Sequence, residues 1–168
     1  PSDNLKIKAK FMADGLIHRG PDDSDIWVKE EHGISFSHRR LSIVDLSKAG
    51  KQPMISSSRR YIITFNGEIY NHKELRLEIG KTSKYNYPWK GNSDTETFLE
   101  CIEKYGLQKT LEKCCGMFAF ALWDDHKKEL SLVRDRFGEK PLYWGINNLE
   151  NDKNKKVLVF SSELSGIF

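Results

Sequence analysis

Residues Gly116-Met117-Phe118-Ala119-Phe120-Ala121-Leu122-Trp123 form an apolar run with no polar alternation. A strand of this kind is apolar on both faces and must be covered on both sides. It predicts a layered domain in which at least one sheet lies between other layers. The chain has 168 residues, long enough for one domain with a real core and short for two. Its hydrophobic share of 38% excludes a disordered chain, and no apolar run approaches the length of a membrane span. The net charge of +3 is spread along the sequence, without the basic stripe that a nucleic-acid partner requires. Of the three cysteines, Cys101, Cys114 and Cys115, two are adjacent. The odd count argues against a disulfide framework and for a reducing, cytoplasmic location. No metal-ligand spacing is present and the five histidines are scattered, so no metal site is expected.

The remaining patterns place helices on strands. Ser2 or Asp3 can cap a first helix whose Leu5, Ala9 and Met12 share a face, extended by Leu16, before the polar turn at 18–23. Short strands are predicted at 25–29 and 33–37. Residues 38–46 have neither helical nor strand period. Tyr61 to Phe65 and Glu68 to Tyr70 flank Asn66-Gly67, a strong hairpin signal. Asn71 with Glu74 resembles a capping box for a helix ending at Gly80, followed by a loop over 81–91. Ser93-Asp94-Thr95-Glu96 is a capping box in S-x-x-E form, opening a helix to Gly106, and a second helix covers 107–114. Strands at 129–134, 142–146 and 157–160 complete the pattern, with 147–156 a polar loop. One α+β domain is the economical reading.

Several residues carry two readings. Asn66 and Gly67 suit a type I′ turn, and equally suit an oxyanion hole, since an Asn amide and a Gly N–H are neutral, fixed donors. Arg39 and Arg40 read as a solvated basic pair, or as a planar fork gripping a carboxylate beside the apolar Leu41, Ile43 and Val44. Asp94 suits the positive end of a helix, but Ser93 already caps that end, which leaves the carboxylate for another partner. The cysteines read as small buried hydrophobes. Asp135 and Glu163 read as structural acids.

In order along the chain stand His-Arg-Gly-Pro-Asp at 18–22, His-Arg-Arg-Leu-Ser-Ile-Val-Asp at 38–45, Gln-Pro-Met at 52–54 and Phe-Asn-Gly-Glu-Ile-Tyr-Asn at 65–71. Ser-Asp-Thr-Glu at 93–96, Gly-Met-Phe-Ala-Phe-Ala-Leu-Trp-Asp at 116–124, Arg-Asp-Arg-Phe-Gly-Glu-Lys-Pro-Leu-Tyr at 134–143 and Phe-Ser-Ser-Glu-Leu at 160–164 follow. This set resembles the glutaminase domain of asparagine synthetases, class II glutamine amidotransferases of the N-terminal-nucleophile hydrolase fold, over nearly all of residues 1–168.

The resemblance implies a four-layer αββα sandwich whose first strand precedes Pro1 and carries the nucleophilic Cys at its start. It implies hydrolysis of glutamine to glutamate and ammonia. Asn66 and Gly67 would form the oxyanion hole, Arg40 would hold the α-carboxylate, and Asp94, assisted by Glu68, would hold the α-ammonium. The backbone at Ile43 and Val44 would touch the substrate, and Arg19 would organise its loop without touching it. No cofactor is implied for this domain. Mg-ATP belongs to a C-terminal synthetase domain of the same polypeptide, which receives the ammonia through a tunnel and uses aspartate. The acceptor is chosen there, so amidation of another carboxylate remains an alternative, as does a non-catalytic glutamine-binding module. A homodimer is left open, and no nucleic-acid or membrane partner is expected.

Overall fold

The computed structural model describes residues 2–41, 50–82, 88–149 and 152–167. Helix α1 (Ser2–Asp14) precedes strands β1 (Asp23–Lys29) and β2 (Ile34–Arg40), which pair antiparallel from Asp23↔Arg40 to Lys29↔Ile34. Strands β3 (Met54–Ile55), β4 (Tyr61–Ile69), β5 (Gly116–Asp124) and β6 (Glu129–Arg134) form a four-stranded antiparallel sheet in the order β3-β4-β5-β6. Helices α2 (His72–Thr82), α3 (Asp94–Tyr105) and α4 (Leu107–Lys113) lie in the chain between β4 and β5. Strands β7 (Tyr143–Leu149) and β8 (Asp152–Ser161) form a further antiparallel pair. The fold is α+β, and none of the described helices is long and apolar enough to cross a membrane.

The apolar run behaves as its composition requires. Side chains alternate across a strand, so β5 faces two cores. Phe118, Phe120 and Leu122 join Ile63, Phe65 and Ile69 of β4 in a core shared with Phe98, Leu99 and Ile102 of α3. Ala121 and Trp123 turn the other way, toward Phe36 of β2, with Phe160 of β8 packed on the same cluster, and Ala119 lines the cavity. Phe65, Phe98, Phe118 and Phe120 stack at centroid distances of 5.3–6.2 Å, within the range where aromatic pairs attract. The ring of Phe36 meets that of Phe160 edge-on at 5.7 Å, which joins β2 to β8.

Three local expectations change. Asn66-Gly67 is not a hairpin turn: β4 runs unbroken through it, with Asn66 opposite Ala119 and Gly67 opposite Phe118. Nine residues of pairing with a doubly buried neighbour outweigh a two-residue turn propensity. Helix α2 continues past Gly80 to Thr82, and Asn71 does not cap it. The Asn71 amide instead donates to Lys113 O at 3.0 Å and accepts from Cys115 N at 2.9 Å, joining α4 to β5. The polar stretch expected as a loop is largely hairpin, with Asn147↔Val157 and Asn148↔Lys156 in register. Ladder hydrogen bonds are made by the backbone, so a polar ribbon carries no apolar alternation to announce it.

Asp135 is the structural acid its sequence setting suggests. It is 7% exposed, and its oxygens accept from the backbone N–H groups of Phe118, Phe137, Glu139 and Lys140 at 3.0–3.2 Å. Burial pushes its pKa up, but the N–H donors of Glu139, Lys140, Phe118 and Phe137 prevail and hold the carboxyl down at about 2. Asp135→Ala should therefore destabilise the fold by about 3 kcal/mol at neutral pH, near the upper end for stranding buried donors. A depressed carboxyl stabilises above its ordinary value and loses that contribution on acidification. The gap between wild type and variant, read from denaturant unfolding, should therefore close as the pH falls from 3.8 toward 2.

Candidate active site

In an antiparallel pair, backbone N–H groups point alternately toward and away from the neighbouring strand. Phe118 N and O are both engaged with Asp135, at 3.2 and 2.8 Å, so they point away from β4. Gly67, opposite Phe118, is therefore in a non-hydrogen-bonded pair, and its N–H points away from β5. Phe65 and Ile69 share that parity. Phe65 N donates to Gln52 Oε1 at 2.6 Å, and Ile69 N donates to Asp94 Oδ2 at 2.8 Å. Between these two capped donors stands Gly67 N–H, which no described side chain caps.

A cavity of about 410 Å³ opens here. It is lined by Asn66, Gly67 and Glu68 of β4, Asp94 of α3, His38 and Arg40 of β2, and Ser161 of β8. Asn66 lies on the face of β4 shared with Ile62 and Thr64, opposite the phenylalanine core. Its Nδ2 is buried and has no hydrogen-bond partner among the described residues. Such a donor costs free energy in a folded chain unless something outside the chain accepts from it. Gly67 is required by contact: a Cβ there would overlap Met117 O and stand 2.7 Å from Phe118 Cα. Glu68, next in the strand, is exposed at the rim.

Asp94 is 6% exposed. Besides Ile69 N, it accepts from Thr95 N at 2.8 Å, and no ion pair to it forms among the described residues. A buried carboxylate held by neutral donors beside a cavity is an acceptor for a cation. Ser93 caps α3, accepting from Thr95 N at 3.2 Å, as its sequence position suggests. Glu96 does not close the expected capping box. It reaches past Ser93 to Lys90 N and Gly91 N, at 2.8 and 3.1 Å.

Both paired arginines line the cavity. Arg39 ion-pairs with Asp14 and donates to Ala13 O at 3.0 Å, pinning α1 to β2, and Arg40 is the last residue of β2. Arg19, which lines the cavity, and His18 both engage Glu163, at 2.6 and 2.9 Å. Ile43 and Val44 lie outside the described residues.

Two cavity residues escaped sequence reasoning as site residues. Gln52 was visible only inside a motif, and its strand-capping role needs the fold. His38 donates to or accepts from Thr64 Oγ1 at 3.1 Å under the cavity. Burial, helped by the charge of Arg40 against that of Asp23, lowers its pKa to about 4, so its imidazole is neutral at pH 7.

None of the cysteines lines the cavity. Burial pushes the Cys101 thiol up to about 12 and the Cys114 thiol up to about 11, which leaves no thiolate at neutral pH. Cys115 is exposed, unlike the buried hydrophobe expected of it. No group of three or more potential metal ligands forms among the described residues.

Around one cavity stand neutral donors and a buried carboxylate that have no acceptor or ion pair among the described residues, together with arginines, a set that could hold a polar molecule carrying an amide or carbonyl and both charges. The chain belongs to the glutamine amidotransferase domain family, whose model matches residues 2–168. It is 39% identical over 159 residues to asparagine synthetase [glutamine-hydrolyzing] 2 of Bacillus subtilis, covering 95% of this chain and 19% of that protein. It is 39% identical over 143 residues to asparagine synthetase B [glutamine-hydrolyzing] of Escherichia coli, covering 85% and 24%. It is also 35% identical over 134 residues to amidase chry2 of Gibberella zeae, covering 80% and 19%. The chain thus spans about a fifth to a quarter of the length of these relatives.

Cysteine exposure sets an order of reactivity. Under native conditions Cys115 should be alkylated first, while Cys101 and Cys114 should react only on unfolding, as read by mass-spectrometric peptide mapping. Labelling of Cys101 at the rate of Cys115 would contradict this core.

Proposed function

We propose that this domain hydrolyses the side-chain amide of glutamine, giving glutamate and ammonia. The observation that carries the reading is the Asn66 amide: a buried donor without a partner among the described residues, one residue from the Gly67 N–H that none of them caps, facing a cavity. Attack on an amide carbonyl turns its oxygen into an oxyanion, and fixed neutral donors stabilise that charge as it develops. Asp94 takes the α-ammonium, with Glu68 assisting at the rim, and Arg40 takes the α-carboxylate. The two charges of the amino-acid end thereby orient the amide over Asn66 and Gly67.

Attack requires a thiolate, and none of the cysteines of this chain supplies one at the cavity. We assign the nucleophile to an N-terminal Cys on a strand preceding Pro1. Among the described residues β2 pairs with β1, with one further bridge from Arg40 to Pro21, and β8 pairs with β7, and residues of both β2 and β8 line the cavity. An extended segment placed there would complete a sheet facing β3–β6, and the layer order would become the αββα sandwich of N-terminal-nucleophile hydrolases. The thiol proton passes to the cysteine's own α-amine, sulfur adds to the carbonyl carbon, and the tetrahedral intermediate forms. The C–N bond then breaks as the amine returns the proton, ammonia leaves, and water hydrolyses the thioester to glutamate. Nothing in this sequence of steps calls for a cofactor in the domain.

The share of each relative that the chain covers supports a further domain in the same polypeptide. On the asparagine synthetase names, that domain is assigned Mg-ATP and aspartate as its substrates. The relative named an amidase supports the alternative of another carboxylate acceptor.

Asn66→Ala in the full-length protein tests the oxyanion assignment. Loss of one such donor should lower kcat for glutamate release by about 10²–10³, with little change in the KM for glutamine. Because Nδ2 has no partner to lose, Tm should stay level or rise. Near wild-type kcat would remove Asn66 from the reaction.

A further inference from the structure

A second charged cluster is built on Arg76 and Glu96, neither of which lines the cavity. Arg76 of α2 reaches across to the first turn of α3, with its side chain 19% exposed. Its Nε donates to Thr97 Oγ1 at 3.1 Å, Nη1 to Gly91 O at 2.9 Å, and Nη2 to Ser93 O at 3.5 Å. Its guanidinium carbon sits 4.1 Å over the Trp89 ring. Glu96, 8% exposed at its side chain, holds Lys90 N and Gly91 N and takes an ion pair from Arg76 Nη2 at 3.4 Å. The cluster thus clasps the segment 89–93 and the start of α3 from both sides.

What the clasp surrounds is Asp94. The Ser93 carbonyl is held by Arg76, the Thr95 N–H is held by Ser93 Oγ and Asp94 Oδ1, and Thr97 Oγ1 closes back on Ser93 O at 3.3 Å. The Asp94 carboxylate has no cation of its own to fix it among the described residues. Its place is therefore set by the backbone from 93 to 97, and Arg76 is the cation that organises this backbone. Only a planar fork can donate in three directions while stacking on an indole; an ammonium cannot.

We propose that Arg76 is a positioning residue for substrate selection: through the Gly91-Ser93-Thr97 clasp it holds Asp94 where that carboxylate selects an amide bearing an α-ammonium group. The proposal rests on the assignment of Asp94 to the ammonium in the preceding section. Arg76 touches no substrate, and the chemistry at Asn66 and Gly67 proceeds without it.

The test is glutamate or glutarate release by the full-length protein from two amides: glutamine, and 4-carbamoylbutanoate, which is glutamine without its amino group. Arg76→Met keeps the stem over Trp89 and deletes the donors. It should raise the KM for glutamine about tenfold with kcat within about twofold, and reduce the preference for glutamine over 4-carbamoylbutanoate by the same factor. Added to Asp94→Asn, it should cost no more than about a further twofold, because both act on one contact. Arg76→Lys should fall between wild type and Arg76→Met. Equal losses on both amides, or effects that multiply with Asp94→Asn, would reduce Arg76 to a stabilising residue and overturn the proposal. If Asp94→Asn abolishes the preference and Arg76→Met leaves it intact, the proposal fails while the ammonium assignment stands. If Asp94→Asn leaves the preference intact, the ammonium assignment fails and takes the proposal with it. Should Arg76→Met not fold, the preference of Arg76→Lys decides: unchanged discrimination overturns the proposal.

Discussion

The site depends on the direction of three backbone N–H groups. Phe65, Gly67 and Ile69 of β4 all point away from β5, because Phe118 is turned toward Asp135. The two outer donors are taken by the side chains of Gln52 and Asp94. Pairing a buried N–H is nearly obligatory, so capping both neighbours concentrates the one uncapped donor at Gly67. Asp135 therefore acts twice. It gathers the 137–140 loop, and by engaging both polar groups of Phe118 it sets the phase of the β4 ladder.

That phase is maintained by close approach. Gly67 and Gly116 each leave no room for a Cβ against the other strand: a Cβ at Gly116 would lie 3.0 Å from Ile69 Cα. The phenylalanine core on the helix side clamps the same two strands, so the spacing at Gly67 cannot relax outward without opening that core. The other face carries the second core around Phe36, Ile62, Ala121 and Trp123, and beside it Thr64, Asn66 and the cavity, where packing gives way to polar groups.

The polar groups there are costly to the free protein. A buried donor without an acceptor costs about 1–3 kcal/mol. The Asp94 carboxylate is held only by neutral donors, and the neutral His38 imidazole sits beside Arg40 with its pKa driven down by burial. Each of these is a poor choice for a structural core. Arg39 and Arg40, adjacent in sequence and alternate across β2, both line the cavity, and Arg39 also holds Asp14 and Ala13 O.

Composition and pattern by themselves determined the α+β class, the buried central strand and the Ser93 cap, and the ordered motif set carried the resemblance that pointed to Asn66, Gly67, Arg40 and Asp94. These are legible because apolar run length, side-chain spacing and residue chemistry are local properties. Tertiary structure decided that Asn66-Gly67 lies within a strand, since a turn propensity and a ladder compete and only the partner strand settles the outcome. It decided that Asn71 joins α4 to β5, that Glu96 reaches back to Lys90 and Gly91, and that residues 147–156 are largely hairpin. It decided, too, which way each N–H of β4 points. That phase is fixed by hydrogen bonds between residues far apart in the chain, Phe118 to Asp135 and Ile69 to Asp94, and no local property of either partner encodes it.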